Sequence, residues 1–177
     1  MSETPFMTTE RFELWRPRAT DLEGHCRLLA DNETRRFLGP ASPEPQAQWE
    51  RLMRNAGSWS LYGYGTLAVR CPGDDQIIAT CGVFHSYRGL GYGMDDQPEA
   101  GWIVRQDWWG QRVAGEVMRA VIDWFDRTHG QRRIVCMIEE GHTGSEKVAA
   151  GLGFLRYDTM IGEEGRVALN FYERVRG

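Results

Sequence analysis

The chain has 177 residues, 41% hydrophobic and 26% charged, which fits a single domain, residues 1–177, able to bury a core without disulfides or metals. Its net charge of −4 excludes the basic footprint that non-specific nucleic-acid binding needs. No apolar run reaches the length of a membrane span, and Met1–Glu10 lacks the apolar stretch of a signal peptide, so we expect a cytoplasmic protein with no membrane partner. Cys26, Cys71, Cys81 and Cys136 form no C-x-x-C pair, and His25, His85 and His129 show no metal-ligand spacing. The expectation is therefore free thiols and no bound metal.

Residues 11–16 alternate as a first strand. Thr20 or Asp21 caps a helix running to Leu29, residues 33–37 form a second short helix ending at Gly39-Pro40, and residues 43–55 form a third. The period then becomes two: strand 64–71, a Pro72-Gly73-Asp74-Asp75 turn, and a returning strand 76–85. Residues 86–97 are Gly-rich and read as an exposed loop, and residues 99–105 as a strand. Residues 114–129 carry Val117, Met118, Val121, Ile122 and Phe125 at helical spacing. Strand 133–138, helix 144–152 and an antiparallel pair, 154–160 with 166–172, complete the chain. This order predicts an α/β (α+β) fold, with one mixed central sheet of about seven strands flanked by helices.

The segment from Trp108 to Glu116 lies between a strand and the clearest helix. A helix N-terminus presents unsatisfied N–H groups and roughly half a positive charge, and so attracts anions. Gly110, Ala114 and Gly115 give a diphosphate room to approach; Gln111 and Arg112 offer side-chain donors beside Val113. Taken alone, a glycine before a helix simply turns the chain. An arginine at 112 resists positive φ, so this loop is expected to use ordinary φ values, or the site is altered.

Glu99-Ala100-Gly101-Trp102, followed by Trp109-Gly110-Gln111-Arg112-Val113-Ala114, resembles the E-x-G-[YW] and W-G-[QK]-G-[YV]-A blocks of the GNAT superfamily of N-acetyltransferases. The branch containing the ribosomal-protein acetyltransferases RimJ and RimL is the most similar. The stretch from His142 to Phe154, with Ser145, Val148, Leu152 and Gly153, resembles that branch's N-x-x-S-x-x-[VL]-x-x-x-L-G-F block. Arg112 stands where the pattern has glycine and His142 where it has asparagine. Ala149 occupies a place that many superfamily members give to tyrosine.

The resemblance implies a GNAT-like fold, acetyl-CoA as co-substrate, and direct attack of a primary amine on the thioester without a covalent acyl-enzyme. The acceptor it implies is a protein N-terminus or a small-molecule amine. Backbone groups of Trp102, Ile103, Val104 and Arg105 would then pair with the pantetheine arm, one N–H serving the carbonyl oxygen; Ile103 and Val104 are equally core residues. Glu99 is the candidate base or amine-positioning group, against a solvated strand end. Ser145 is the candidate donor to the leaving sulfur, against a helix N-cap. His142 is a cofactor contact or a neutral loop histidine. Tyr87, Tyr92, Asp95 and Asp96 suit an acidic acceptor rim or a solvated loop. A catalytically silent acyl-CoA-binding or interaction module is the alternative, and a homodimer stays open because seven tryptophans suit either a dimer face or a core.

Overall fold

The computed structural model describes residues 4–162 and 168–175. In chain order the elements are β1 (Met7–Thr8), β2 (Glu13–Trp15), a 3-10 turn (Ala19–Asp21), α1 (Leu22–Leu28), α2 (Asn32–Arg35), α3 (Pro45–Tyr62), β3 (Thr66–Arg70) and β4 (Ala79–Ser86). Then come β5 (Gln97–Val104), a 3-10 turn (Gln106–Trp108), α4 (Val113–His129), β6 (Ile134–Glu139), α5 (Thr143–Gly151), β7 (Leu155–Met160) and β8 (Leu169–Arg174).

Among the described residues one mixed sheet of eight strands runs in the order β1-β2-β3-β4-β5-β6-β8-β7. The strand beyond the expected seven is β1, whose two residues are too few to show a period. Every neighbouring pair is antiparallel except β5 and β6. A parallel pair needs a long crossover, and α4 supplies it.

α3 runs past its expected end at Asn55 because that residue points inward: its side chain accepts from Thr66 N–H and donates to Thr66 C=O. The helix stops instead at Gly63, whose φ of 78° lets its N–H close on Trp59. β4 starts later than predicted because Gln76 N–H is held by Asp74 Oδ1 in the turn. The last strand occupies 169–174, and positions 166 and 167 of its predicted span lie outside the described residues.

Alternation decides the two faces of the sheet. Cys81, Val83 and Ala100 meet Val113, Val117, Met118, Val121, Ile122 and Phe125 of α4 and Ala149 of α5. Ala68 and Ile103 face the other way, against Leu28 of α1 and Leu29 just after it. Fully buried side chains of this size contribute about 1.5–3 kcal/mol each, which ties α4 to the strands it joins. Five of the seven tryptophans pack at least partly against these cores; Trp49 and Trp109 are exposed. No helix among the described residues is long and apolar enough to cross a membrane.

Candidate functional site

β5 and β6 touch at one register pair, Glu99 with Val135, and then part. On its other side β5 stays fully paired with β4 through Val104. Arg105 N–H donates to Ile78 C=O at 2.9 Å, so the bonded positions of that ladder fall on Ile103, Gly101 and Glu99. The alternate residues, Trp102 and Val104, turn their N–H and C=O groups away from β4, into the gap β6 leaves. Of the four residues expected to offer backbone to a pantetheine arm, these two face the opening. Ile103 and Arg105 are bonded toward β4; the Arg105 guanidinium is taken by Asp107 at 2.6 and 2.8 Å. Trp109 Nε1 donates to Val104 C=O at 2.7 Å, so that carbonyl already has a partner.

The loop after β5 corrects one expectation. Arg112 does adopt a left-handed conformation, φ 62°, two residues after Gly110 at 74°. It is the N-cap of α4, without a side-chain cap bond. Left-handed residues alternating with right-handed ones curl successive N–H groups into an anion-binding concavity. Gly110 and Arg112 both have positive φ immediately before the N-terminus of a 17-residue helix, whose free N–H groups suit an anion. Val113 and Ala114 anchor the first turn in the core, whereas Gly115 faces out with nothing within 4 Å of a Cβ placed on it. Gln111 spends its side-chain amide on Asp107 C=O at 3.1 Å. Outside this turn lies a cleft of about 730 Å³ between α4 and α5, lined by Arg11, Arg112, Gly115, Arg119, Lys147 and Gly151 among others.

α5 forms the far wall. Ser145 is buried, three residues into the helix rather than at its cap, and its Oγ accepts from Trp102 Nε1 at 3.2 Å. That bond links β5 to α5 across the gap. The N-cap is His142, without a side-chain cap bond; its ring stacks on Phe37 at 4.2 Å. Burial holds the imidazole below its ordinary pKa, which keeps it neutral at pH 7. Thr34 Oγ1 accepts from Gln106 N–H at 3.0 Å, so α2 and the residues after it reach both the β5 and the β6 side of the opening.

Glu99 is not a solvated strand end. It is 3% exposed, and its carboxylate receives Arg88 Nε and Nη2, each at 2.8 Å. The proposed acidic rim is also committed elsewhere. Asp95 accepts the N–H groups of Arg88, Gly89 and Gly91, and these donors hold its carboxyl below the usual range. Asp96 meets His85 at 2.9 Å, Tyr92 stacks on Phe171, and Tyr87 is exposed.

Sequence reasoning missed Arg88, Arg119 and Lys147, and also Thr9 and Arg11, which bind Glu116 of α4. Arg119 lies five residues past Ala114, where the Trp109–Ala114 block ends, and Lys147 lies inside the His142–Phe154 block, both exposed on their helices, a signal that was present. Arg88 and Arg11 carry no motif; only the fold brings them in.

The model of the acetyltransferase (GNAT) domain matches residues 11–155. Among solved structures, a protein from Bordetella pertussis described as a GnaT-family acetyltransferase superposes with a TM-score of 0.84 at 26% identity, covering 96% of this chain and 98% of that one. RimL, the ribosomal L7/L12 α-N-protein acetyltransferase in complex with coenzyme A, gives 0.74 at 16% identity, covering 97% and 96%. The microcin C7 self-immunity acetyltransferase MccE, in complex with acetyl-CoA and AMP, gives 0.74 at 12% identity, covering 99% and 98%. With the family model spanning most of its length and the fold matching throughout, the chain belongs to the GNAT acetyltransferase family.

Proposed function

We propose that this protein transfers an acetyl group from acetyl-CoA to a primary amine, by direct attack of the amine on the thioester. The observation that carries the reading is the gap between β5 and β6, opening beside a left-handed loop at the start of α4. Extended pantetheine suits the backbone edge of Trp102 and Val104, and a diphosphate suits the N–H groups of Gly110 to Gly115. Arg112, Arg119 and Lys147 supply positive charge along the cleft. The bound ligands of RimL and MccE, folds of the same kind, support the choice of co-substrate.

The chemistry asks for little. The acetyl group supplies the electrophilic carbonyl; the protein must orient it, stabilise the oxyanion, and manage two protons. A backbone N–H of β5 facing the gap is suited to the oxyanion. A carboxylate offers about four acceptor positions, so Glu99 can hold an ammonium while bonded to Arg88. Ser145 Oγ, held by the Trp102 indole, is suited to donate its proton toward a departing thiolate. An α-amine with pKa about 7.8 is roughly one-tenth neutral at pH 7, against roughly one in a few thousand for lysine at about 10.4. A weak base therefore suffices for a protein N-terminus, the acceptor that the RimJ/RimL-like motifs favour.

Thiol release from acetyl-CoA with a panel of N-terminal peptides, polyamines, amino acids and aminoglycosides tests the proposal. Turnover with one class supports it; silence with all of them, alongside CoA binding by calorimetry, favours the non-catalytic module. That second reading draws on the Glu99–Arg88 pair, which leaves the candidate base already bonded.

A further inference from the structure

Arg112 occupies a conformation that L-residues avoid, and its side chain makes no cap bond to hold it there. Something else must support the loop. The hairpin turn between β1 and β2 lies against it. Arg11 Nη2 donates to Gln111 C=O at 2.9 Å, immediately before Arg112. Arg11 Nε and N–H donate to Glu116, at 2.7 and 3.2 Å, and Thr9 Oγ1 donates to the same carboxylate at 2.6 Å. Glu116 N–H in turn donates to Arg112 C=O at 3.0 Å. The strained residue is thus bracketed on both sides by donors from a turn about a hundred positions upstream.

The turn is itself fixed. Thr9 N–H donates to Phe12 C=O at 2.9 Å, Phe12 N–H donates to Thr9 Oγ1 at 3.1 Å, and the Phe12 ring is buried against Trp108. The Arg11 guanidinium lies over that ring at 4.8 Å. Exposed ion pairs contribute little to global stability. What this one controls is the shape of a single loop.

We propose that Arg11, with Thr9, is a positioning residue for the anion-binding loop: it holds Arg112 left-handed, and so acts on coenzyme A through the loop's shape rather than by contact or charge. The inference rests on the reading of this loop as the diphosphate site. Glycine visits the left-handed region freely, so the staple that Arg112 needs is dispensable in the Arg112→Gly variant.

Calorimetry with coenzyme A on the unaltered protein, Arg11→Ala, Arg112→Gly and the double variant tests it. Arg11→Ala is expected to weaken binding about tenfold, yet by less than about twofold in the Arg112→Gly background. Thr9→Val, which touches no cation, should show a smaller loss with the same dependence. In turnover, the KM for acetyl-CoA should rise while kcat at saturation holds. An equal fold-loss from Arg11→Ala in both backgrounds means that Arg11 acts by direct contact or by its charge, not by holding Arg112, and overturns the proposal, as does no loss at all. Absence of coenzyme A binding by the unaltered protein removes the diphosphate reading itself. Should Arg11→Ala fail to fold, Arg11→Lys keeps the charge without the fork that reaches Glu116 and Gln111 together, and carries the same comparison.

Discussion

An L-residue at a φ of 62° costs roughly 1–2 kcal/mol relative to the right-handed region, and Arg112 bears that cost at the entrance to α4. The residue-scale predictions concern this turn and Glu99. Replacing Arg112 or Gly115 with Glu puts a carboxylate beside the proposed diphosphate, where α4 faces out and screening is partial. Both variants should bind coenzyme A at least about tenfold more weakly by calorimetry; unchanged affinity in both would place the diphosphate elsewhere. Glu99→Gln keeps the shape and removes the charge proposed to hold an ammonium. Its expected signature is a kcat lower by about a hundredfold, with the KM for acetyl-CoA little changed. A kcat within a factor of two of the unaltered enzyme would exclude Glu99 as base or amine holder. The sequence named these residues but could not state their surroundings. Glu99 looked like a strand end, and its Arg88 partner lies in a glycine-rich loop that no periodicity predicts.

At the scale of elements, the two edges of β5 differ: the β4 edge is fully paired, and the β6 edge opens after Glu99. The apolar stripe of α4 made that helix legible from spacing alone, and the structure starts it one residue before its expected first position. The close approach of β3 to β4 was not legible. A Cβ added at Gly82 would lie 2.5 Å from Gly65 C=O and Thr66 Cα, backbone atoms that cannot swing aside. Gly82→Ala should therefore destabilise the fold by about 1–3 kcal/mol, read as a lower urea midpoint, although alanine is elsewhere the better strand residue. A midpoint at or above that of the unaltered protein would mean the two strands can spread without cost. α3 gives the complementary case: its true length depends on Asn55 finding Thr66, a contact that the sequence of the helix does not contain.

For the whole molecule, acid stability follows from half-buried imidazoles. Burial lowers the His25 pKa from 6.5 to about 4, and lowers those of His129 and His142 in the same direction. Above pH 6.5 these rings are neutral in both the folded and unfolded chain, and the full stability is present. As pH falls from 6.5 toward 4, the unfolded chain takes up protons that the folded one refuses. Stability should drop over that window, by up to about 3 kcal/mol for His25. Asp31, Asp95 and Asp107, held below ordinary carboxylate values by hydrogen-bond donors, add to the loss only at lower pH. Urea unfolding at pH 7.5 and 4.5 measures the drop, and His25→Gln should flatten it; an equal slope in that variant would assign the acid sensitivity elsewhere.

The sequence by itself determined the family, the mixed sheet and the long helix α4, because these rest on local signals: periods of two and 3.6, glycines at turns, and three short blocks of fixed spacing. Only the tertiary structure decided how the site is assembled. Arg11 meets Glu116, Arg88 meets Glu99, Trp102 meets Ser145 and Phe37 meets His142 across separations that leave no trace in a local pattern. Pairings of that kind form only when the sheet order brings distant segments together. For the same reason a left-handed arginine, improbable from its own preferences, stands at the mouth of the cleft.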